Sequence, residues 1–170
     1  MIFLGLGSNL PSKYGDKFAN INLAISSLEA YGIKVSKKSS FYETPSYPNI
    51  KNPKFINVVI LVETILPPID LMSVLIFIEE RLERKRGKKN DSRTCDIDII
   101  DYNSQILNLK KNNLSLTLPH KELTSRNFVL FPLQEIFPQW KHPKTKEIIS
   151  ILLQKLSKDE KNFILKIEEN

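Results

Sequence analysis

Cysteine is nearly absent from this 170-residue chain: Cys95 stands alone, beside two histidines, one tryptophan and five glycines. One cysteine excludes an internal disulfide and a cysteine-based zinc cluster. No apolar run approaches the ~20 residues that span a bilayer as a helix. The opening Met1-Ile2-Phe3-Leu4-Gly5 lacks a basic stretch and a small-residue cleavage site, so it does not read as a secretory signal. No Gly-Lys-Ser/Thr phosphate loop occurs, and Leu10 stands where a dinucleotide fingerprint needs its last glycine. Gly5-Leu-Gly7-Ser-Asn9 is therefore a weak turn motif by itself, and any nucleotide has to be held in another way. Disorder is excluded too, because 41% of the residues are hydrophobic and the mean hydropathy is only -0.22. The expectation is a soluble, cytoplasmic, single domain over residues 1–170.

Charge is what the chain has in excess: 25 Lys+Arg against 19 Asp+Glu, a formal +6, with a pI near 9.3. Such a balance raises nucleic acid as a partner. The distribution qualifies it. The lysines are spread throughout, whereas all five arginines, Arg81, Arg84, Arg86, Arg93 and Arg126, lie in the middle. Lysine is a hydrated point charge suited to surfaces; arginine is a planar fork suited to fixed phosphate or carboxylate contacts.

Ile2–Leu6 reads as a strand. Phe18, Ile21, Ala24, Ile25 and Leu28 then fall on one helical face, and Gly32 is a stop. Residues 33–44 read as one strand, broken by Pro45 and Pro48 ahead of a polar loop over 46–54. Residues 55–65 form the clearest strand. Pro67-Pro68 opens a helix to about Arg86, with Leu71, Val74, Leu75, Ile78 and Leu82 as its stripe. A basic segment leads into an alternating strand over 94–102. Residues 108–113 read as irregular, 125–137 as a helix broken at Pro132, and 147–156 as a last helix before a charged tail. The order implies an α+β fold: a ferredoxin-like antiparallel sheet with helices packed on one face, and a C-terminal, mostly helical extension.

The strongest chemical signal is Arg93-Thr-Cys-Asp96-Ile-Asp98. In a strand, Asp96 and Asp98 point the same way with Cα atoms about 6.6–6.8 Å apart. Adjacent carboxylates repel unless protonated or bridged by a cation. Oxygen ligands of this kind suit Mg²⁺, which takes one or two carboxylates plus substrate phosphates. The alternative is a solvated sheet face. Aspartate is poor in strands, however, and this one is otherwise rich in isoleucine. Arg84 and Arg93 flank the pair, and metal carboxylates beside arginines suit phosphoryl transfer. Lys85, Lys88 and Lys89 read as a solvated helix end, where cations favour the dipole. Phe55 ahead of Asn57 can form a flat slot with an amide-reading edge. His120 and His142 carry no assignment from spacing alone.

Several ordered motifs now combine: Leu6-Gly-Ser-Asn9, Ser40-Phe-Tyr-Glu-Thr-Pro45, Phe55-Ile-Asn57, Val62-Glu-Thr64, Ile78-Glu79, Arg93-Thr-Cys-Asp96-Ile-Asp98, Leu118-Pro-His120 and Arg126-Asn-Phe128 before Pro132-Leu133. With them, residues 3–138 resemble the 6-hydroxymethyl-7,8-dihydropterin pyrophosphokinase family of folate biosynthesis. The resemblance implies transfer of pyrophosphate from ATP to the pterin hydroxymethyl group, releasing AMP. It implies Asp96 and Asp98 as ligands of two Mg²⁺ ions and Arg84 and Arg93 as catalytic phosphate-binding residues. Thr44, Pro45, Tyr47, Phe55, Asn57, Asp96 and Phe128 match pterin positions. Glu79, Arg84, Arg93, Ile99, Thr117, His120, Lys121 and Arg126 match ATP positions. The loops over 46–54 and 86–92 match two mobile lids. The basic lid lacks the family's tryptophan, Phe55 replaces a common tyrosine, and Lys121 replaces a common aromatic. A monomer with no nucleic-acid or membrane partner is expected. The competing class is a non-catalytic RNA-binding module on the same sheet, but no RNP-type run is present.

Overall fold

The computed structural model describes residues 1–85 and 91–168. Its strands are β1 (Ile2–Ser8), β2 (Lys34–Lys38), β3 (Phe41–Thr44), β4 (Phe55–Glu63), β5 (Asp96–Tyr102), β6 (Leu107–Lys111), β7 (Leu114–Leu118) and β8 (Leu165–Ile167). Its helices are α1 (Lys17–Leu28), α2 (Pro68–Arg81), α3 (Asn127–Ile136), α4 (Ile149–Lys155) and α5 (Lys158–Asn162).

The main sheet runs β5-β1-β4-β3-β8, with β2 also on β4, and every pairing in it is antiparallel. Taking β2 and β3 as one interrupted strand gives the ferredoxin-like β-α-β-β-α-β order. The interruption corrects the single strand expected over 33–44, and the Ser39 side chain sits at it. Ser39 Oγ accepts from Val59 N at 3.0 Å and donates to Ser40 O at 2.8 Å. From Lys38↔Ile60 to Tyr42↔Asn57 the chain advances four residues against three, leaving one residue bulged.

Alternation along β1 separates two cores. Ile2, Leu4 and Leu6 join Ile21, Leu28, Leu71, Leu75 and Ile78 under α1 and α2. Phe3 joins Val59, Ile100, Leu130, Leu133, Ile149 and Leu152 under α3 and α4. Helices therefore cover both faces, which corrects the one-face expectation. Apolar burial on each side also carries α3 past Pro132, where a helix break was expected: Val129, Leu130, Leu133 and Ile136 are all buried.

On the face of Phe3, β1 then carries Gly5 and Gly7. A Cβ at Gly5 would lie 3.0 Å from Ile100 Cδ1, and one at Gly7 would lie 3.2 Å from Asn57 Oδ1. Glycine here admits neighbouring side chains rather than making a turn. Residues 108–113, expected to be irregular, belong to the β6–β7 hairpin, turned through Asn112 at φ 54°. The charged tail also differs from expectation, since it ends in β8 on the sheet edge.

Candidate active site

Asp96 and Asp98 lie on β5 opposite Ile97 and Ile99, which are buried in the first core. Three arginines reach the two carboxylates. Arg84 Nη1 is 2.6 Å from Asp96 Oδ1, and Arg93 Nη1 is 2.9 Å from Asp96 Oδ2. Arg126 Nη1 lies 2.8 Å from Asp98 Oδ2, and its Nη2 lies 2.5 Å from Glu122 Oε2. Burial raises the Asp96 carboxyl above the ordinary range and Asp98 adds to this, while Arg93 and Arg84 hold it back.

Arg84 owes its position to the end of α2. The helix stops at Arg81, five residues before the expected end, because Glu83 turns left-handed at φ 65°. Glu83 N then donates to Glu80 O at 3.0 Å and Arg84 N to Glu79 O at 3.1 Å, a Schellman closure built without glycine. The Arg84 side chain pairs with Glu79, which is 2% exposed and also accepts from Ile97 N at 2.7 Å. Glu79 thus faces the protein interior and orients Arg84. Burial works against the Arg84 charge, but Asp96 and Glu79 lift its pKa above the ordinary value.

His120 follows β7. Its Nδ1 accepts from Glu122 N at 3.2 Å, which leaves the proton on Nε2, 3.9 Å from Asp98 Oδ2. Burial lowers its pKa, so at neutral pH it is an uncharged donor facing the carboxylate.

The aromatic side of the site starts at β3 and β4. Asn57 is buried and donates to Tyr42 O at 3.2 Å and Thr44 Oγ1 at 3.0 Å. Phe55 and Phe128 are half-buried. The Arg93 guanidinium lies 5.5 Å from the Phe55 ring centre, and that of Arg126 lies 5.5 Å from the Phe128 ring centre. Each of these arginines therefore joins a carboxylate to an aromatic face.

Asn9, which sequence reasoning left as part of a turn motif, is 1% exposed. Its Nδ2 is 3.2 Å from Ser46 Oγ, 3.1 Å from Pro53 O and 3.0 Å from Ser92 Oγ, and its Oδ1 accepts from Arg93 N at 2.7 Å. Both ends of the 46–54 loop and the return of the basic segment thus meet one side chain. Polarity so close to a chain reversal was the available signal. Next to it, a cleft of about 340 Å³ is lined by Leu10, Glu83, Lys85, Ser92, Arg93 and Thr94. Two buried polar atoms, Arg93 Nε and Thr94 Oγ1, have no partner there among the described residues.

Not every expected residue converges. Ile99 is 4% exposed in the first core, so its side chain is directed away from the carboxylates. Thr117 and Lys121 are exposed, Pro45 is half-buried, and Tyr47 is 82% exposed on the 46–54 loop. Arg86, Lys88 and Lys89, with residues 86–90 of the expected basic lid, lie outside the described residues.

Residues 3–138 match the family model described as 7,8-dihydro-6-hydroxymethylpterin-pyrophosphokinase (HPPK). The chain belongs to this family. Its HPPK relatives include the 2-amino-4-hydroxy-6-hydroxymethyldihydropteridine pyrophosphokinase of Methylorubrum extorquens, 36% identical over 80% of this chain and 82% of the relative. The enzyme of the same name from Synechocystis is 35% identical over 89% of this chain and 74% of the relative. The Plasmodium falciparum HPPK-DHPS crystal structure superposes with a TM-score of 0.73 at 18% identity, over 91% of this chain and about 40% of that chain. That similarity concerns the HPPK fold alone. The RNA-binding alternative finds no support here, since the matched family model and these named relatives are pyrophosphokinases.

Proposed function

We infer that this chain transfers the pyrophosphoryl group of ATP to the hydroxymethyl oxygen of 6-hydroxymethyl-7,8-dihydropterin, releasing AMP, in folate biosynthesis. The observation that carries the reading is the juxtaposition on β5. Asp96 and Asp98 stand beside Arg84, Arg93 and Arg126, and two of these arginines touch the aromatic rings of a candidate heterocycle slot.

The donor set fits a substrate-completed magnesium site. Among the described residues no group of three or more His, Cys, Asp or Glu is arranged to hold a metal. Two carboxylates plus phosphate oxygens suit Mg²⁺ better than an all-protein cage does. Charge balance agrees: Arg84, Arg93 and Arg126 are offset by Asp96, Asp98, Glu79 and Glu122, so a bare nucleoside triphosphate meets no net positive site among these seven groups. Asp96 and Asp98 would hold the ions, which when bound neutralise phosphate charge and polarise the attacked phosphoryl group.

The protein's own part is positioning and electrostatics. Arg93 and Arg126 act as placeholders. A flat pterin entering between Phe55 and Phe128 replaces their guanidinium groups on the rings and frees them for phosphate oxygens. The unpartnered Arg93 Nε and Thr94 Oγ1 supply two further donors. Asn57 and Thr44 read the heterocycle edge, with Pro45 and Tyr47 brought in when the 46–54 loop closes. Arg84, held by Glu79, meets the phosphates, and His120 Nε2–H donates on the nucleotide side. Thr117 and Lys121 border the nucleotide from the surface, and Ile99 contributes only its backbone. The unit is a single domain acting as a monomer.

The test is ³¹P NMR of one turnover with ATP, Mg²⁺ and the dihydropterin. AMP and a pterin-borne diphosphate are expected. ADP with a pterin monophosphate, or no AMP from folded protein, overturns the reading.

A further inference from the structure

The family match ends at residue 138, and the chain continues well beyond it. Part of that extension is core, since Ile149, Leu152, Leu153 and Leu156 of the α4 region are buried in the second cluster. The segment after it is different. α5 has no buried residue, and Ile167 is the one β8 residue that is not exposed. Residues 157–168 therefore add little apolar burial, yet they are firmly tied.

One tie is to the Asn57 wall of the slot. β8 pairs with β3 at Phe41↔Ile167, Tyr42↔Lys166 and Glu43↔Leu165. The same β3 supplies Tyr42 O and Thr44 Oγ1, the two acceptors that orient the Asn57 amide. Without β8, this four-residue strand would be a sheet edge paired only with β4, and short edges open locally at low cost. A second tie is to the Phe128 wall. Asn127 Nδ2 donates to Glu160 O at 2.6 Å, while Asn127 Oδ1 accepts from Phe128 N at 2.7 Å. A third closes the frame: Lys166 Nζ is 3.2 Å from Glu135 Oε1, and the other oxygen of Glu135 accepts from Tyr42 OH at 2.7 Å.

We propose that residues 157–168 form a brace that spans the two walls of the heterocycle slot and fixes their spacing. They are a positioning element for pterin binding, and the proposal rests on the slot reading given above. The arrangement distinguishes the two substrates. The brace touches β3, whose Tyr42 and Thr44 hold Asn57, and α3, which bears Phe128, whereas Arg84, Glu79 and His120 are held from α2, β5 and the turn after β7.

Two variants of the full chain test it. Leu165→Pro removes the backbone donor opposite Glu43 and constrains φ inside β8. Asn127→Asp removes the donor to Glu160 O but keeps an acceptor for Phe128 N–H. Titration calorimetry reads 6-hydroxymethylpterin binding with Mg²⁺ and a non-hydrolysable ATP analogue present, and separately the binding of that analogue. Each variant is expected to weaken pterin binding about five-fold, the worth of one net hydrogen bond. Analogue binding should stay within about two-fold, since no phosphate contact is removed. The carboxylate that Asn127→Asp adds beside Arg126 is contained in that two-fold margin. Unchanged pterin affinity in both variants overturns the brace, as does an equal loss for both ligands. Should Leu165→Pro not fold, Asn127→Asp decides alone. Phe55→Ala separates the two readings: if it leaves pterin affinity intact, the slot itself is wrong. If it weakens pterin while the brace variants do not, only the brace falls.

Discussion

Replacing Asn9 by alanine should cost both stability and turnover, because one buried side chain serves three segments. Its Nδ2 has two protons shared among Ser46 Oγ, Pro53 O and Ser92 Oγ, and its Oδ1 holds Arg93 N–H. That amounts to about three net hydrogen bonds at roughly 1 kcal/mol each. Some loss is cushioned. Ser46 Oγ keeps its own 2.6 Å bond to Pro53 O, and the main-chain bonds from Asn9 N and Leu10 N to Arg93 O survive. Arg93 N–H is left without its acceptor, which costs about 1–3 kcal/mol where water is excluded. The total is therefore about 3 kcal/mol. At about 2–4 °C per kcal/mol for a chain of this size, Tm should fall by roughly 6–12 °C. Arg93 carries a guanidinium that bridges Asp96 and Phe55, so its displacement should lower kcat about ten-fold or more. Scanning calorimetry and steady-state AMP release read the two effects. Asn9→Asp keeps the acceptor for Arg93 N–H and should lose less turnover than Asn9→Ala. A Tm shift under about 2 °C with unchanged kcat would refute the hub.

Gly7→Ala tests the close approach at Asn57. Removing glycine from a strand interior offsets the contact by about 0.5–1 kcal/mol, so Tm should stay near the parent. The new Cβ, 3.2 Å from the Asn57 Oδ1 position, should shift that amide and raise the pterin KM about ten-fold while the ATP KM holds. An unaltered pterin KM would remove Asn57 from the slot. A pH effect follows from His142, whose Nδ1 accepts from Lys144 N at 3.3 Å and Thr145 N at 3.1 Å. Burial lowers its pKa below the ordinary ~6.5, so the unfolded chain takes up the proton first. The stabilisation is complete above about pH 6.5 and is lost as pH falls through the lower folded value. His120 is shifted the same way. His142→Asn, which keeps an acceptor, should flatten part of the slope of the urea midpoint between pH 7.5 and 5. Identical slopes for parent and variant would contradict this.

The alternation of Asp96 and Asp98 against Ile97 and Ile99 was legible because strand periodicity is local. So were α1 and α2, whose apolar stripes need no partner to be read. The hairpin β6–β7 was not, because Asn and Lys around 108–113 mask the alternation of Leu107 and Leu109 with Leu114, Leu116 and Leu118. The interruption between β2 and β3 lies where Ser39 meets Val59, a tertiary contact. Arg84 was recognised, but its placement depends on a left-handed Glu83, a conformation that glycine would have announced. Glu79 was expected at the nucleotide; that it orients Arg84 from the interior became visible only in the fold. Asn9 and the β8 brace were missed for one reason: hydrogen bonds between segments distant in sequence leave no periodic trace.

The central claim is that Asp96 and Asp98 hold the magnesium nucleotide. Single-turnover AMP formation by Asp96→Ala and Asp98→Ala, at saturating ATP, Mg²⁺ and dihydropterin, tests it most directly. The account predicts a loss of about 100-fold or more in each, with the circular dichroism spectrum of the parent retained. Turnover near the parent rate in either variant would contradict it.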